Sequence, residues 1–421
     1  MLKKIFKKLR QDEMLKDGSI LFFGTLIGSI LNFIFHFYTG RALGPSDYGV
    51  FSALLGIAYL AAVFTNTVQT GVANVVARFT GTDASGSIKD LAIRSLKKLI
   101  LVGFVATIVL AAISPLVASF LHIRTENVLV LSPIVFFLII MPLNRGLLQG
   151  LQRFKALSIN VSSEGVFKLL GAFVFITLLG WRVNGATLAF ISAAAFPFFL
   201  AFFALKPVYS KKVRRIPIDS SEVYKYTLPV FLFLLSATLF FTVDILLVKH
   251  FFPSVDAGHY GAASLIGKIV FFAVMPLSQV MFSKVSKIKR NTKDARRLLK
   301  KTLVLSVLVG VSGSTLYFLV PRFIINFMFG SDFLDISNIL GLFGIVMMLY
   351  AIMYALAMFL LAIRKSHFIF GLLFLNIGEI VLIWLFHETL FMVLFQLLIT
   401  ILLMVLFLFY VISKTRWREE A

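Results

Sequence analysis

Residues Gly40–Gly49 read GRALGPSDYG and sit between two apolar runs, near 18–39 and 47–68. Each run is close to the roughly 20 residues that a helix needs to cross the hydrocarbon of a bilayer. The stretch joins Arg41, a Gly-Pro break and Asp47. A looser copy, KHFFPSVDAGHYG, runs from Lys249 to Gly261. Both copies follow a hydrophobic helix, turn at Pro-Ser, carry an Asp and enter the next helix through Tyr-Gly. Tyr48 and Tyr260 are 212 positions apart in a chain of 421. Gln69 and Gln279 are 210 apart, and Arg153 and Arg364 are 211 apart. Similar offsets at three landmarks indicate one unit written twice.

Hydrophobic residues make up 59% of the chain and charged ones 14%. A soluble domain of this size cannot hide so much apolar surface, whereas a bilayer supplies an apolar solvent. Ten further apolar segments fall near 98–120, 128–148, 158–179, 184–205, 226–248, 259–282, 302–320, 336–361, 367–386 and 388–412. Every backbone polar group in lipid needs an internal partner, and these runs are too long and too evenly apolar for barrel strands. The reading is an all-α polytopic membrane protein of about twelve transmembrane helices. Six helices per half give both halves one orientation, so the two lobes are expected to be related by a pseudo-twofold axis along the membrane normal. The expected division is a basic amphipathic segment 1–17, an N-lobe 18–205, a polar linker 206–225, a C-lobe 226–412 and a tail 413–421.

The net charge of +22 suggests nucleic acid until its placement is considered. Most of the 41 Lys and Arg fall in the N-terminus, the connections after even-numbered helices and the C-terminus. The opposite connections hold only Arg41, Arg124, Arg182, Lys249 and Arg322. This is positive-inside asymmetry, which places the chain in the plasma membrane with both termini cytoplasmic and disfavours nucleic acid. In 1–17, Ile5, Phe6 and Leu9 oppose Lys3, Lys4, Lys7, Lys8 and Arg10. That segment either lies on the anionic inner leaflet or serves as a plain orientation signal. The first apolar run has full span length and no A-x-A site, so it reads as a retained helix. With no Cys there are no disulfides or thiolate sites. The six His occur singly, so no metal site is expected. Neither GxxxxGK[ST] nor Gly-x-Ser-x-Gly is present and no catalytic residue is assigned, so the chain reads as a non-enzyme.

An ionisable group at mid-bilayer costs at least about 2.5–3.5 kcal/mol on insertion scales, so it normally faces a partner or water. Glu164, Lys168, Asp244, Lys268 and Glu379 are such groups, with Arg41, Arg78, Arg145 and Lys249 near helix ends. Glu164 and Lys168 are one helical turn apart and either pair with each other or line an interior path. Arg145 and Lys249 are expected to snorkel. Helix 1 carries a small and polar stripe (Thr25, Gly28, Ser29, Asn32, His36), and helix 2 another that includes Asn66, with Gln69 beyond. Its glycines suggest close helix packing, while Asn32, His36, Asn66 and Gln69 either bond between helices or line a polar lumen.

The stretch GRALGPSDYGVFSALL resembles prokaryotic polysaccharide-biosynthesis membrane proteins, as do GLQRFKALSIN after helix 4 and FMFGSDFLDISNIL before helix 10. These are lipid-linked oligosaccharide flippases of the multidrug/oligosaccharidyl-lipid/polysaccharide (MOP) exporter superfamily. The resemblance implies two six-helix lobes around a V-shaped cavity, and alternating access that carries a polyprenyl pyrophosphate- or phosphate-linked glycan outward. An anionic headgroup needs a hydrated, cationic path, for which Arg41, Arg78, Lys168 and Lys268 are the candidates. Glu164, Asp244 and Glu379 are the candidate ion-coupling or structural carboxylates. No cofactor is expected beyond a coupling Na+ or H+. Membrane lipids, the lipid-linked glycan and glycan-assembly proteins are the expected partners. Two other readings are a cation-coupled multidrug antiporter of the same superfamily and a membrane-embedded glycan polymerase or ligase.

Overall fold

A computed structural model describes residues 13–79, 85–210, 221–286 and 293–415, without the side chains of 13–18, 22, 66, 78–79, 85–87 and 221–227. Residues 1–12 of the basic segment, 211–220 of the linker and 416–421 of the tail therefore fall outside the described residues. What is described is helical, with no strand. The run Glu13–Phe79 is two helices, α1 (13–43) and α2 (45–79), broken where Gly44 takes φ 72° and ψ 172°. Glycine reaches that backbone conformation without the Cβ clash other residues meet there, and Pro45 then starts α2 as a first-turn proline. The quoted GRALGPSDYG is thus a helix-to-helix corner rather than a loop.

The remaining elements are α3 Ser85–Ala112, α4 Ser114–Leu121, α5 Thr125–Leu131, α6 Pro133–Gly150, α7 Phe154–Ala172 with a π-turn at Phe173–Leu178, and α8 Arg182–Tyr209. In the second half they are α9 Ser221–Phe240, α10 Val243–Phe251, α11 Ser254–Val285, α12 Lys293–Leu319, α13 Pro321–Met328, α14 Leu340–Ala362, α15 Phe368–Leu385 and α16 Leu390–Ser413. Eleven described helical runs are long and apolar enough to cross a membrane. The first, Ser19–Ala77, holds both α1 and α2 and is long enough for two crossings, which makes twelve.

Hydropathy marks where the chain meets lipid and not where a helix begins. The third span is expected from 98, yet α3 starts thirteen residues earlier. Its polar first turns are held by Arg94 and Asp90, one turn apart, with Arg94 Nε donating to Asp90 Oδ1 at 2.9 Å. The proline breaks are local. Pro115 opens α4 and Pro133 opens α6, each in the first turn, where its missing N–H is not needed.

The chain forms two compact units, 1–43 with 57–228, and 44–56 with 229–421. The first turns of α2 thus belong to the second unit. Tyr48 is buried there with its ring edge-on to Phe329 (5.3 Å) and Phe333 (5.9 Å). Gly49 lies against the backbone of Ser254 and Gly258, and Gly258 against the backbone of Pro45. The two copies of the repeated motif are therefore packed on each other, backbone to backbone.

Within the first unit α6 is the most enclosed span, flanked by α3, α7 and α8. In the second it is α14, flanked by α11, α12 and α16. These are the fourth spans of their halves. The sequence of α14, LGLFGIVMMLYAIMYALAMFLLA, is apolar on all sides, as a helix surrounded by others must be. Its Tyr350 hydroxyl donates to the Ala237 carbonyl at 2.9 Å, so the polar tip is satisfied. Large apolar side chains such as Leu116, Phe203 and Phe374 are exposed, which a bilayer accommodates and water does not.

Candidate functional site

In the first unit, Asn160, Glu164 and Lys168 recur every four residues along α7 and so share one stripe. Glu164 lies about 15 Å along α7 from its first residue at 1.5 Å per residue. Arg145 reaches the same stripe from α6. Its Nη2 donates to Glu164 Oε2 at 2.8 Å, and its Nε to Asn160 Oδ1 at 2.9 Å. Asn160 is itself fixed by donating to the Pro197 carbonyl at 2.6 Å, an acceptor on α8. Lys168 donates to Asn32 Oδ1 of α1 at 2.6 Å, and its Nζ lies 4.6 Å from the Phe190 ring centroid and 5.4 Å from that of Phe35. Glu164 Oε1 is 3.9 Å from Lys168 Nζ.

The one-turn spacing of Glu164 and Lys168 is compatible with a pair, yet each finds a closer partner on another helix. Arg145 is buried at 9% exposure and does not snorkel, because Asn160 and Glu164 satisfy its guanidinium inside the protein. Lys249 is likewise buried at 2%. Asn160 is the residue that sequence reasoning missed, and Arg145 the one it read as reaching for water. The signal available was the four-residue spacing of 160, 164 and 168, which marks a polar stripe longer than one ion pair needs.

Close approach of α1 to α7 brings Asn32 to Lys168. Gly28 packs on Val161 and Gly165 on Leu31, while Ser158 and Ser162 donate to the Ile20 and Gly24 carbonyls at 3.0 and 2.9 Å. The small residues of helix 1 thus serve packing. Of the other expected lumen residues, Gln69 donates to Gln149 Oε1 at 3.0 Å and His36 is buried beside the Phe35 ring. The side chains of Asn66 and Arg78 lie outside the described residues, and Arg41 is exposed three residues before the Gly44 corner.

The second unit holds a cluster of the opposite polarity. Asp244 is buried at 1% exposure, and its Oδ2 accepts from the Tyr260 hydroxyl at 2.9 Å. Lys268 and Glu379 both act on Asp244 electrostatically. Lys268 Nζ donates to the Phe241 carbonyl at 3.1 Å and lies 4.9 Å from the Phe241 ring centroid. Phe241 sits at the interruption between α9 and α10, where the helical ladder lapses and a carbonyl needs another donor. Asn376, one turn before Glu379 on α15, donates to Ser236 Oγ at 2.7 Å. Asp244 Oδ1, Glu379 Oε1 and Asn376 Oδ1 are buried and accept no hydrogen bond. Among the described residues no three His, Asp or Glu side chains converge as a metal site.

The family model described as polysaccharide biosynthesis protein matches residues 14–289. The chain belongs to that family. As a polysaccharide biosynthesis protein it is similar, at 24% identity over 311 residues, to a protein described as an uncharacterized membrane protein of Methanocaldococcus jannaschii. That alignment covers 70% of this chain and 73% of the archaeal one. Among solved structures it is similar to a multidrug resistance MATE family transporter of the MOP superfamily in an inward-facing conformation. The TM-score is 0.78 at 13% identity, over 92% of this chain and 94% of that one. The lipid II flippase MurJ in an inward closed conformation gives 0.73 at 16% identity, over 95% and 88%. A MOP superfamily transporter from Pyrococcus furiosus gives 0.63 at 16%, over 94% and 96%.

This polysaccharide biosynthesis protein therefore has the fold of those solved MOP superfamily proteins, described as a transporter and a flippase. On that fold its first unit sets two buried cations against one carboxylate, while its second sets two buried carboxylates against one lysine. The two clusters thus carry net charges of opposite sign.

Proposed function

We propose that this polysaccharide biosynthesis protein is a flippase that moves a lipid-linked oligosaccharide, on a polyprenyl pyrophosphate or phosphate, across the plasma membrane by alternating access. The observation that carries this reading is the pairing of Arg145 and Lys168, two buried cations sharing a single carboxylate on the inner stripe of α7. A buried excess of positive charge is costly and therefore suits a site for an anion. Arg41 and Arg78 are assigned to the cationic path by charge complementarity, whereas Lys268 stands against Asp244 in the second unit and is assigned to that cluster. Both termini are placed in the cytoplasm by the positive-inside asymmetry, and glycan-assembly proteins are the expected partners.

The test is reconstitution in liposomes that carry a lipid-linked glycan on the outer leaflet, with its disappearance from an outside glycan-cleaving enzyme as readout. Lys168→Met is expected to slow transfer about tenfold, the loss of some 1.4 kcal/mol of stabilisation of the passing anion. Unchanged transfer in Lys168→Met and Arg41→Ala together would remove the cationic path. Uptake of a cationic dye with no glycan transfer would move the assignment to the antiporter.

Coupling to Na+ or H+ is assigned to the second unit. Asp244 Oδ1, Glu379 Oε1 and Asn376 Oδ1 are oxygens buried without donors, the chemistry a hard cation or a proton satisfies. Replacing K+ by Na+ at 100 times the dissociation constant stabilises the folded form by about 2.7 kcal/mol. The melting temperature of the purified protein is therefore expected to rise by several degrees in Na+, and not to rise in Asp244→Asn. Equal melting in the two salts would exclude Na+ and leave the proton.

A further inference from the structure

Arg145, Glu164 and Lys168 differ in how firmly each is held. Arg145 has a second partner in Asn160, which the Pro197 carbonyl anchors in turn. Lys168 has Asn32 and two aromatic faces. Glu164 has the two cations as its described hydrogen-bond and ion-pair partners, with the Tyr59 hydroxyl in electrostatic range. Its side chain is also the most accessible, 32% exposed against 11% for Arg145 and 4% for Lys168. Should Glu164 swing away, both cations would stay in place on neutral partners. The one remaining terminal amino group of Arg145 takes no part in these bonds. Glu164 thus covers a cationic seat that is built without it.

We propose that Glu164 is a displaceable internal counterion, and that the seat it covers, Arg145 Nη2 with Lys168 Nζ, takes a diphosphate or phosphate oxyanion in its stead. Resting on the flippase reading, this names the part of the substrate recognised in the first unit: the phosphate linkage, not the sugar. The exchange is balanced in charge. With Glu164 in place the three groups carry one net positive charge; with an oxyanion seated the carboxylate turns to its open side. Neither cation is ever left buried without a partner, which is the arrangement that costs most. Arg145 holds Glu164 through Nη2 alone, its Nε being taken by Asn160, so a phosphate oxygen would take that single charge-assisted N–H with Lys168 Nζ as the second point. Competition from Glu164 keeps the seat from binding so tightly that the headgroup would not leave on the far side.

The experiment uses the full-length protein in nanodiscs. Binding is measured for inorganic pyrophosphate, for a polyprenyl pyrophosphate and for the uncharged polyprenol. Glu164→Gln keeps the shape and one acceptor oxygen and removes the competing charge. It is expected to bind both diphosphates about tenfold more tightly, a 1.4 kcal/mol change, and the polyprenol no better. Adding Lys168→Gln, which retains a donor for Asn32, is expected to cancel that gain. A gain with inorganic pyrophosphate alone upholds the seat and assigns it to a soluble phosphate compound. Equal or weaker diphosphate binding in Glu164→Gln, in protein whose melting temperature shows it folded, overturns the proposal and leaves Glu164 as a structural counterion. The flippase reading is judged separately, by wild-type transfer in liposomes. Transfer without a Glu164→Gln effect sinks only the counterion proposal, and a Glu164→Gln effect without transfer sinks only the flippase.

Discussion

Gly258→Ala is expected to cost about 3 kcal/mol or more and to remove most of the folded protein. A Cβ there would meet the Pro45 carbonyl oxygen and Gly49 nitrogen, which are backbone atoms and have no rotamer to give. Overpacking a tight site costs roughly 1–3 kcal/mol even where side chains yield, and here the α2 corner itself would have to move. Gly49→Ala meets Ser254 and Gly258 backbone from the other side and is expected to behave alike. Gly378→Ala is the control. It lies in α15 with open space where the Cβ would go, so the change is neutral or slightly favourable, by up to about 1 kcal/mol. The measurements are monodisperse yield and melting temperature in detergent. Wild-type values for Gly258→Ala would mean that the two motif copies do not pack as closely as described.

Arg145→Ala is expected to have the second largest effect, about 3 kcal/mol, from leaving Glu164 and Asn160 Oδ1 without their donor. The value belongs at the lower end of the roughly 3–5 kcal/mol typical for breaking a buried pair, since Glu164 is about a third exposed. Most of that cost is the orphaned carboxylate and not the lost attraction. Adding Glu164→Gln to Arg145→Ala is therefore expected to restore half or more of the lost stability, a coupling that a double-mutant cycle measures directly. If the double variant melts no higher than Arg145→Ala, Lys168 rather than Arg145 is the main partner of Glu164. Glu164→Gln alone keeps an acceptor for Arg145 and is expected to change melting far less than Arg145→Ala.

Helix number was legible in the sequence because the solvent imposes it. In hydrocarbon an unpaired backbone group is so costly that length and hydropathy leave helices as the way across. The same reasoning located Glu164, Lys168, Asp244, Lys268 and Glu379, since a charge inside an apolar run needs no tertiary information to be noticed. It had no means of choosing among partners. Spacing of four on α7 permits Glu164 to meet Lys168, but α6 delivers a guanidinium and α1 an amide to that face, and closer charge-assisted hydrogen bonds decide.

Arg145 illustrates the limit most clearly. Near a helix end, a lone arginine is read as reaching for water, and only the packing of α6 on α7 supplies Asn160 and Glu164 to hold it inside. The assignment of residues 44–56 to the second unit was equally invisible, because it depends on Tyr48 finding Phe329 and Phe333, hundreds of positions away. Sequence alone determined what must be helical and which charges are too expensive to be incidental, both being costs set by the bilayer. Tertiary structure alone decided which of those charges neutralise one another, because that depends on distances of a few ångström between helices far apart in the chain.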